Sequence, residues 1–240
     1  MEQPQRLADV IAGTYLKGLI RGSDSDRVGH NGISGKVSSP LLASGLIGIE
    51  VKISAKPFVS REVAVHEAGH AIAAWYNRCS DIEIAIANED RIAQTRSGEV
   101  LDCVAVTRHS KIDDNGTLEA KVRIGMTFFA GVAAQGRYSG DKVEDLLLTA
   151  GKYDHEQIKK LIKEYCEAGA TELEGKEAYD TARRLAIKLI ERHWWEVIAV
   201  AKMIENRSYI SVTDFESMMR LLTPGRITIP TDLKELENTP

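Results

Sequence analysis

The chain has 240 residues, 43% of them hydrophobic and 28% charged, with a formal net charge of −4. That is a globular composition, long enough for one large domain or a domain with appendages. Charges of both signs are mixed along it, which excludes a basic footprint for nucleic acid, and no run approaches the roughly 18 apolar residues of a spanning helix.

Residues 5–21 read as a helix with a stripe of Leu7, Val10, Ile11, Leu16, Leu19 and Ile20, ended by Gly22. Such a stripe is a packing face, since Lys17 and Arg21 are too few for a membrane-surface anchor. Residues 22–48 are rich in Gly and Ser and read as a linker or surface loop. Gly29 to Lys36 superficially resembles a phosphate loop, but the spacing departs from G-x-x-x-x-G-K-[ST] and Val37 replaces the hydroxyl that binds magnesium. A short strand is expected at 46–54, and Pro57 breaks the chain after it.

The next stretch organises the rest. His66-Glu67-Ala68-Gly69-His70 has the H-E-x-x-H form. Residues four apart share a helix face, so both imidazoles can reach one cation, and Glu67 is placed to act on a water bound to it. The context is helical. Ser60 is a suitable N-cap, Glu62 lies in the first turn, and Ala64, Val65, Ala68, Ala71, Ile72 and Trp75 supply an apolar face.

Ile82, Ile84 and Ile86 then alternate as in a half-buried strand. Turn residues follow at 88–98, and Val100, Val104 and Val106 predict a second strand. A strand edge beside the helix can pair with an extended peptide and hold it; an ordinary hairpin covering the core is the other reading. Asp113 to Gly116 is a turn. Leu118 to about Gly136 is helical, and Gly125, Ala130, Gly131, Ala133 and Ala134 let another helix approach closely. A connection at 139–152 contains Leu146, Leu147 and Leu148. Helices are expected from near Tyr153 to Ala168, from about Lys176 to Asn206 as one long element, and from Ser211 to Leu222. The tail after Pro224 is polar. Cys79, Cys103 and Cys166 are odd in number and widely spaced, which fits reduced, buried thiols of a cytoplasmic protein better than disulfides or a cysteine zinc site. The polar N-terminus lacks the apolar core of a secretory signal, so the sequons at Asn115 and Asn206 read as chance.

A catalytic zinc has three protein ligands and one open position. The metzincin extension is excluded, because Ala73 and Tyr76 stand where its glycine and third histidine belong. Glu89 has a separation suited to a glutamate of the thermolysin kind but lies in a predicted turn. Asp154 opens a helix and is the better candidate, although spacing does not select it over Glu144, Asp145, His155 or Glu156.

His66 to Ala71, HEAGHA, resembles the zinc motif of the FtsH-type AAA+ proteases' peptidase domain. The similarity continues through residues 129–135, FAGVAAQ, which resemble that family's small-residue helix, and residues 149–154, TAGKYD, which resemble its T-x-G-A-x-x-D segment. The helices at 176–222, with Glu205, Asn206 and Asp214, resemble its C-terminal pair. The likeness spans roughly 58–222. It implies His66, His70 and Asp154 as zinc ligands and Glu67 as catalytic base. Gln135 and Val132 depart from the pattern, standing where the family commonly has glutamate and arginine, and neither that family's ATPase module nor its membrane spans are expected from these 240 residues.

The expectation is therefore a mostly α (α+β) protein with a small β-hairpin or sheet beside the H-E-x-x-H helix. Residues 1–57 form an N-terminal segment, 58–223 the peptidase-like domain and 224–240 a loose tail. Its expected function is that of a cytoplasmic, zinc-dependent, ATP-independent endopeptidase acting on peptides or unfolded segments. The resemblance implies a homo-oligomer, a hexamer in that family. Two other readings remain: a zinc-containing binding module without turnover, and a peptidase subunit that docks on a separate ATPase.

Overall fold

Ser60 opens the first described helix. Its backbone is extended, at φ −63° and ψ 155°, and its hydroxyl accepts a hydrogen bond from Val63 N at 3.3 Å. Such a cap stabilises a helix by about 1 kcal/mol. The structure is a computed structural model and describes residues 59–87, 93–94, 100–101, 103–207 and 209–223. The expected helix at 5–21, the linker at 22–48, the strand at 46–54, Glu89 and the tail after Pro224 lie outside the described residues.

This helix, α1 (Arg61–Tyr76), is enclosed on most sides: Ala64, Val65, Ala68, Ala71, Ile72, Ala73 and Ala74 are fully buried. Small side chains let its neighbours come close. A Cβ on Gly69 would lie 2.3 Å from the main-chain oxygen of Ala130, so α2 (Leu118–Ser139) crosses α1 backbone against backbone. Thr117 caps α2 by accepting from Ala120 N at 3.2 Å, and Gly140, at φ 85°, closes it in the left-handed conformation that glycine adopts without strain. The small residues expected to admit a helix do so.

The five strands among the described residues follow the pattern only in part. They are β1 (Glu83–Ile86), β2 (Ala93–Gln94), β3 (Val100–Leu101), β4 (Ala105–Arg108) and β5 (Tyr209–Ile210). β4, β1 and β5 form an antiparallel sheet in that order, with Ile84 opposite both Thr107 and Ile210. β2 and β3 make a separate two-stranded ribbon. The single strand expected from Val100 to Val106 is thus two strands in different sheets. β1 is central rather than half-buried: Ile84, Ala85 and Ile86 are all buried, because β5 covers the side that a simple hairpin would leave open.

The remaining helices are α3 (Val143–Leu146), α4 (Lys152–Glu167), α5 (Glu172–Arg192), α6 (Trp194–Glu205) and α7 (Val212–Leu222). α2 packs along both α1 and α5, and α6 covers the other flank of α1. The long helix expected from Lys176 to Asn206 is in fact two. The chain breaks at His193, at φ −109° and ψ 27°, with no Gly or Pro to mark it. The cause is tertiary. His193 turns inward, donates from Nδ1 to Oε1 of the fully buried Glu196 at 3.0 Å, and stacks on Tyr76 with ring centroids 3.9 Å apart. The helix expected from Ser211 to Leu222 is α7, and Ser211 caps it by accepting from Asp214 N at 3.1 Å. Of the three cysteines Cys79 is buried, whereas Cys103 and Cys166 are partly exposed. The fold is mostly helical with a small sheet beside α1, the expected α+β class. Among the described residues no helix is long and apolar enough to cross a membrane.

Candidate metal centre

α1 presents His66 and His70 one turn apart, with ring centroids 4.7 Å apart and nearly perpendicular. Each ring is fixed from behind by α2. His70 Nδ1 lies 2.8 Å from the main-chain oxygen of Thr127, and His66 Nδ1 lies 3.1 Å from Gln135 Oε1. Both partners are acceptors, so each Nδ1 carries the hydrogen and donates it. The two Nε2 atoms are then left with bare lone pairs pointing into the same space, which is how an orienting partner prepares a histidine to ligate a metal.

Asp154 completes the cluster from the first turn of α4. Its placement depends on a close approach: a Cβ on Gly151 would come within 2.4 Å of Val132 Cγ2. The loop before α4 therefore lies flat on α2, and Ile158 and Leu161 anchor the helix behind it. Asp154 Oδ2 lies 3.1 Å from His66 Nε2, Oδ1 lies 3.5 Å from His70 Nε2, and the two Nε2 atoms are 3.0 Å apart.

Three acceptors facing one another repel unless a cation lies among them. The cluster accordingly favours positive charge at His70. Burial by itself lowers the His70 pKa, but the charge and hydrogen bond of Asp154, the charge of Glu67 and the Thr127 carbonyl outweigh it and bring it up to about 9. Burial raises the Asp154 carboxyl, yet His70 and His66 hold it well below the usual carboxylate range. The donor set fits zinc. Two imidazole nitrogens and a carboxylate are ligand types that zinc takes; His70 Nε2 and Asp154 Oδ2 approach within 3.0 and 3.1 Å of His66 Nε2, while the 3.5 Å approach to His70 Nε2 is made by the other carboxylate oxygen, Oδ1. The ligating atoms of His66, His70 and Asp154 all lie within 4.8 Å of one another.

Glu67, 8% exposed, stands beside this triangle. Thr107 of β4 donates from Oγ1 to Glu67 Oε2 at 2.7 Å. His109 follows at the end of the strand and donates from Nδ1 to Ser110 O. Burial keeps its pKa below the ordinary histidine value, opposed by the Ser110 carbonyl and assisted by the charge of His70.

The other described candidates for a third ligand lie elsewhere. Glu144 and Asp145 are exposed, and Glu144 pairs with Arg183 of α5. Glu156 is exposed, and His155 faces Leu147 O and the Tyr179 hydroxyl. Glu89 lies outside the described residues. The roles of Thr107 and Thr127 are not legible in the sequence, since neither belongs to a motif; strand alternation and small-residue spacing locate their elements but not the contacts. A cavity of about 390 Å³ opens between the end of α1 and the start of α2, lined by Asn77, Lys111, Asp113, Thr117 and Arg123. It is not the metal centre; it lies two turns beyond His70. Asn77 Nδ2 donates to Thr127 Oγ1 there, at 3.0 Å. No protein-family model matches the chain, and no curated protein matches it.

Proposed function

We propose that this chain is a zinc-dependent endopeptidase that hydrolyses peptides or unfolded protein segments. The observation that carries the reading is the convergence of two imidazole nitrogens, each ring fixed from behind, on the carboxylate of Asp154, with a second carboxylate alongside. The likeness of HEAGHA and the segment ending at Asp154 to the FtsH-type peptidase domain supports the same reading.

His66, His70 and Asp154 would hold the metal. Zinc bound there supplies an acidified water and polarises a scissile carbonyl. Glu67 takes a proton from the attacking water and returns it to the nitrogen of the departing amine, so the C–N bond breaks with both products neutralised in turn. β4 offers the means to hold an extended substrate. Ala87 N donates to Val104 O at 2.8 Å, and in the antiparallel ladder Ala85–Val106 and Glu83–Arg108 are then the bonded pairs. The main-chain groups of Ala105 and Thr107 accordingly face away from β1, where no other described strand pairs with them. A peptide added there lies beside Glu67.

The sequence has no G-x-x-x-x-G-K-[ST] loop, so digestion is read as ATP-independent. A cytoplasmic location, a ring of identical subunits and a separate unfolding ATPase belong to the proposal through the resemblance alone. The test is metal analysis of the purified chain together with digestion of unfolded casein, with and without a chelator. One zinc per chain and chelator-sensitive cleavage support the reading; metal-free protein that cleaves, or zinc-loaded protein that does not, overturns it.

A further inference from the structure

We infer that Thr107 is the positioning residue of the general base, gripping one carboxylate oxygen of Glu67 so that the other is presented to the reaction. The inference rests on the peptidase reading above. Glu67 sits on α1 with a flexible side chain, and nothing in the H-E-x-x-H motif fixes its rotamer. Thr107 lies on β4, where the strand crosses α1. Its hydroxyl is 2.7 Å from Glu67 Oε2 and 3.1 Å from Glu67 main-chain O. A hydroxyl has one proton, and the shorter contact to the charged group takes it. At 8% exposure Glu67 has little water to replace that bond. The contact therefore fixes the direction of the base, and it fixes it from the same strand whose outward main chain would align a substrate. Thr107 binds no metal; its ligand is the base itself. Orientation of this kind changes turnover rather than binding.

The experiment compares Thr107→Val, which keeps the shape and loses the donor, with Thr107→Ser, which keeps the donor. The expected result is full zinc content in both, a kcat reduced about tenfold at unchanged KM in the valine variant, and recovery to within about twofold in the serine variant. Thermal unfolding gives a readout that does not depend on activity. Thr107→Val should lower Tm when Glu67 is present and lower it less in a Glu67→Ala background, where the hydroxyl retains only the main-chain oxygen. Where the valine variant does not fold, Thr107→Ala replaces it in both arms. A valine variant with wild-type kcat, a serine variant as slow as valine, or equal Tm losses in the two backgrounds would each overturn the inference. An inactive wild type overturns the peptidase reading instead, and the unfolding comparison still decides whether Thr107 holds Glu67.

Discussion

Gly131 lies directly beneath the ring of His70: a Cβ at this position would stand 2.4 Å from Nε2 and 2.6 Å from Cε1. The glycine is there for space, not for backbone freedom, since it sits in the middle of α2. Helix propensity alone favours alanine at such a site by about 1 kcal/mol. Gly131→Ala should therefore keep the fold and displace the imidazole, which Thr127 O tethers from the far side. The expected outcome is zinc affinity weakened at least about tenfold, the lower end of what a disturbed ligand support costs. Chelator competition measures it, with circular dichroism to show that the helices persist. Wild-type affinity would mean that the ring is not part of the centre.

The ligand set separates by substitution. Asp154→Ala leaves two imidazoles facing each other without the carboxylate that offsets a cation's charge. It should lose metal and hydrolysis while the core around α1, α2 and α5 still folds. Glu89→Ala should lose neither. A thermolysin-like assignment predicts the opposite pair, so the zinc content of the two purified variants decides between them.

How much of this was legible in the sequence depends on whether a residue's role is local. The H-E-x-x-H helix is local in every respect: the cap at Ser60, the four-residue spacing and the apolar flanks all lie within one element, and all were readable. The small residues of α2 announced a close helix contact, and Gly69 against Ala130 is that contact. The break at His193 could not be read, because its cause is a buried partner, Glu196, and a ring from α1, not a Gly or Pro. β5 is only two residues long and leaves no periodicity; it exists because β1 has an open edge. Spacing does not single out Asp154 among its acidic neighbours; what places it is the fit of Gly151 on Val132. Gln135, a departure from that family's pattern, still supplies the acceptor that orients His66.

Burial also makes a prediction about the thiols. It penalises the charged thiolate, so the Cys79 pKa is pushed up to about 11. The thiolate is the reactive form, and at pH 8 only about one part in a thousand of Cys79 carries it. Alkylation with iodoacetamide at that pH should modify Cys103 and Cys166 well before Cys79, as read by peptide mass spectrometry. Reactivity should rise for Cys79 only as pH approaches its raised pKa or as the fold opens. Equal rates for all three in the folded chain would contradict the buried placement.

In the proposed mechanism Glu67 is the base of a metal-dependent hydrolysis. The most direct measurement is the rate at which the zinc-loaded wild type and zinc-loaded Glu67→Gln digest unfolded casein. Glutamine keeps the size and the hydrogen bond from Thr107 but cannot take up the water's proton. The account predicts equal zinc content, an unchanged fold and a rate lower by at least about a hundredfold in the variant. A zinc-loaded Glu67→Gln protein that digests casein at the wild-type rate would contradict it.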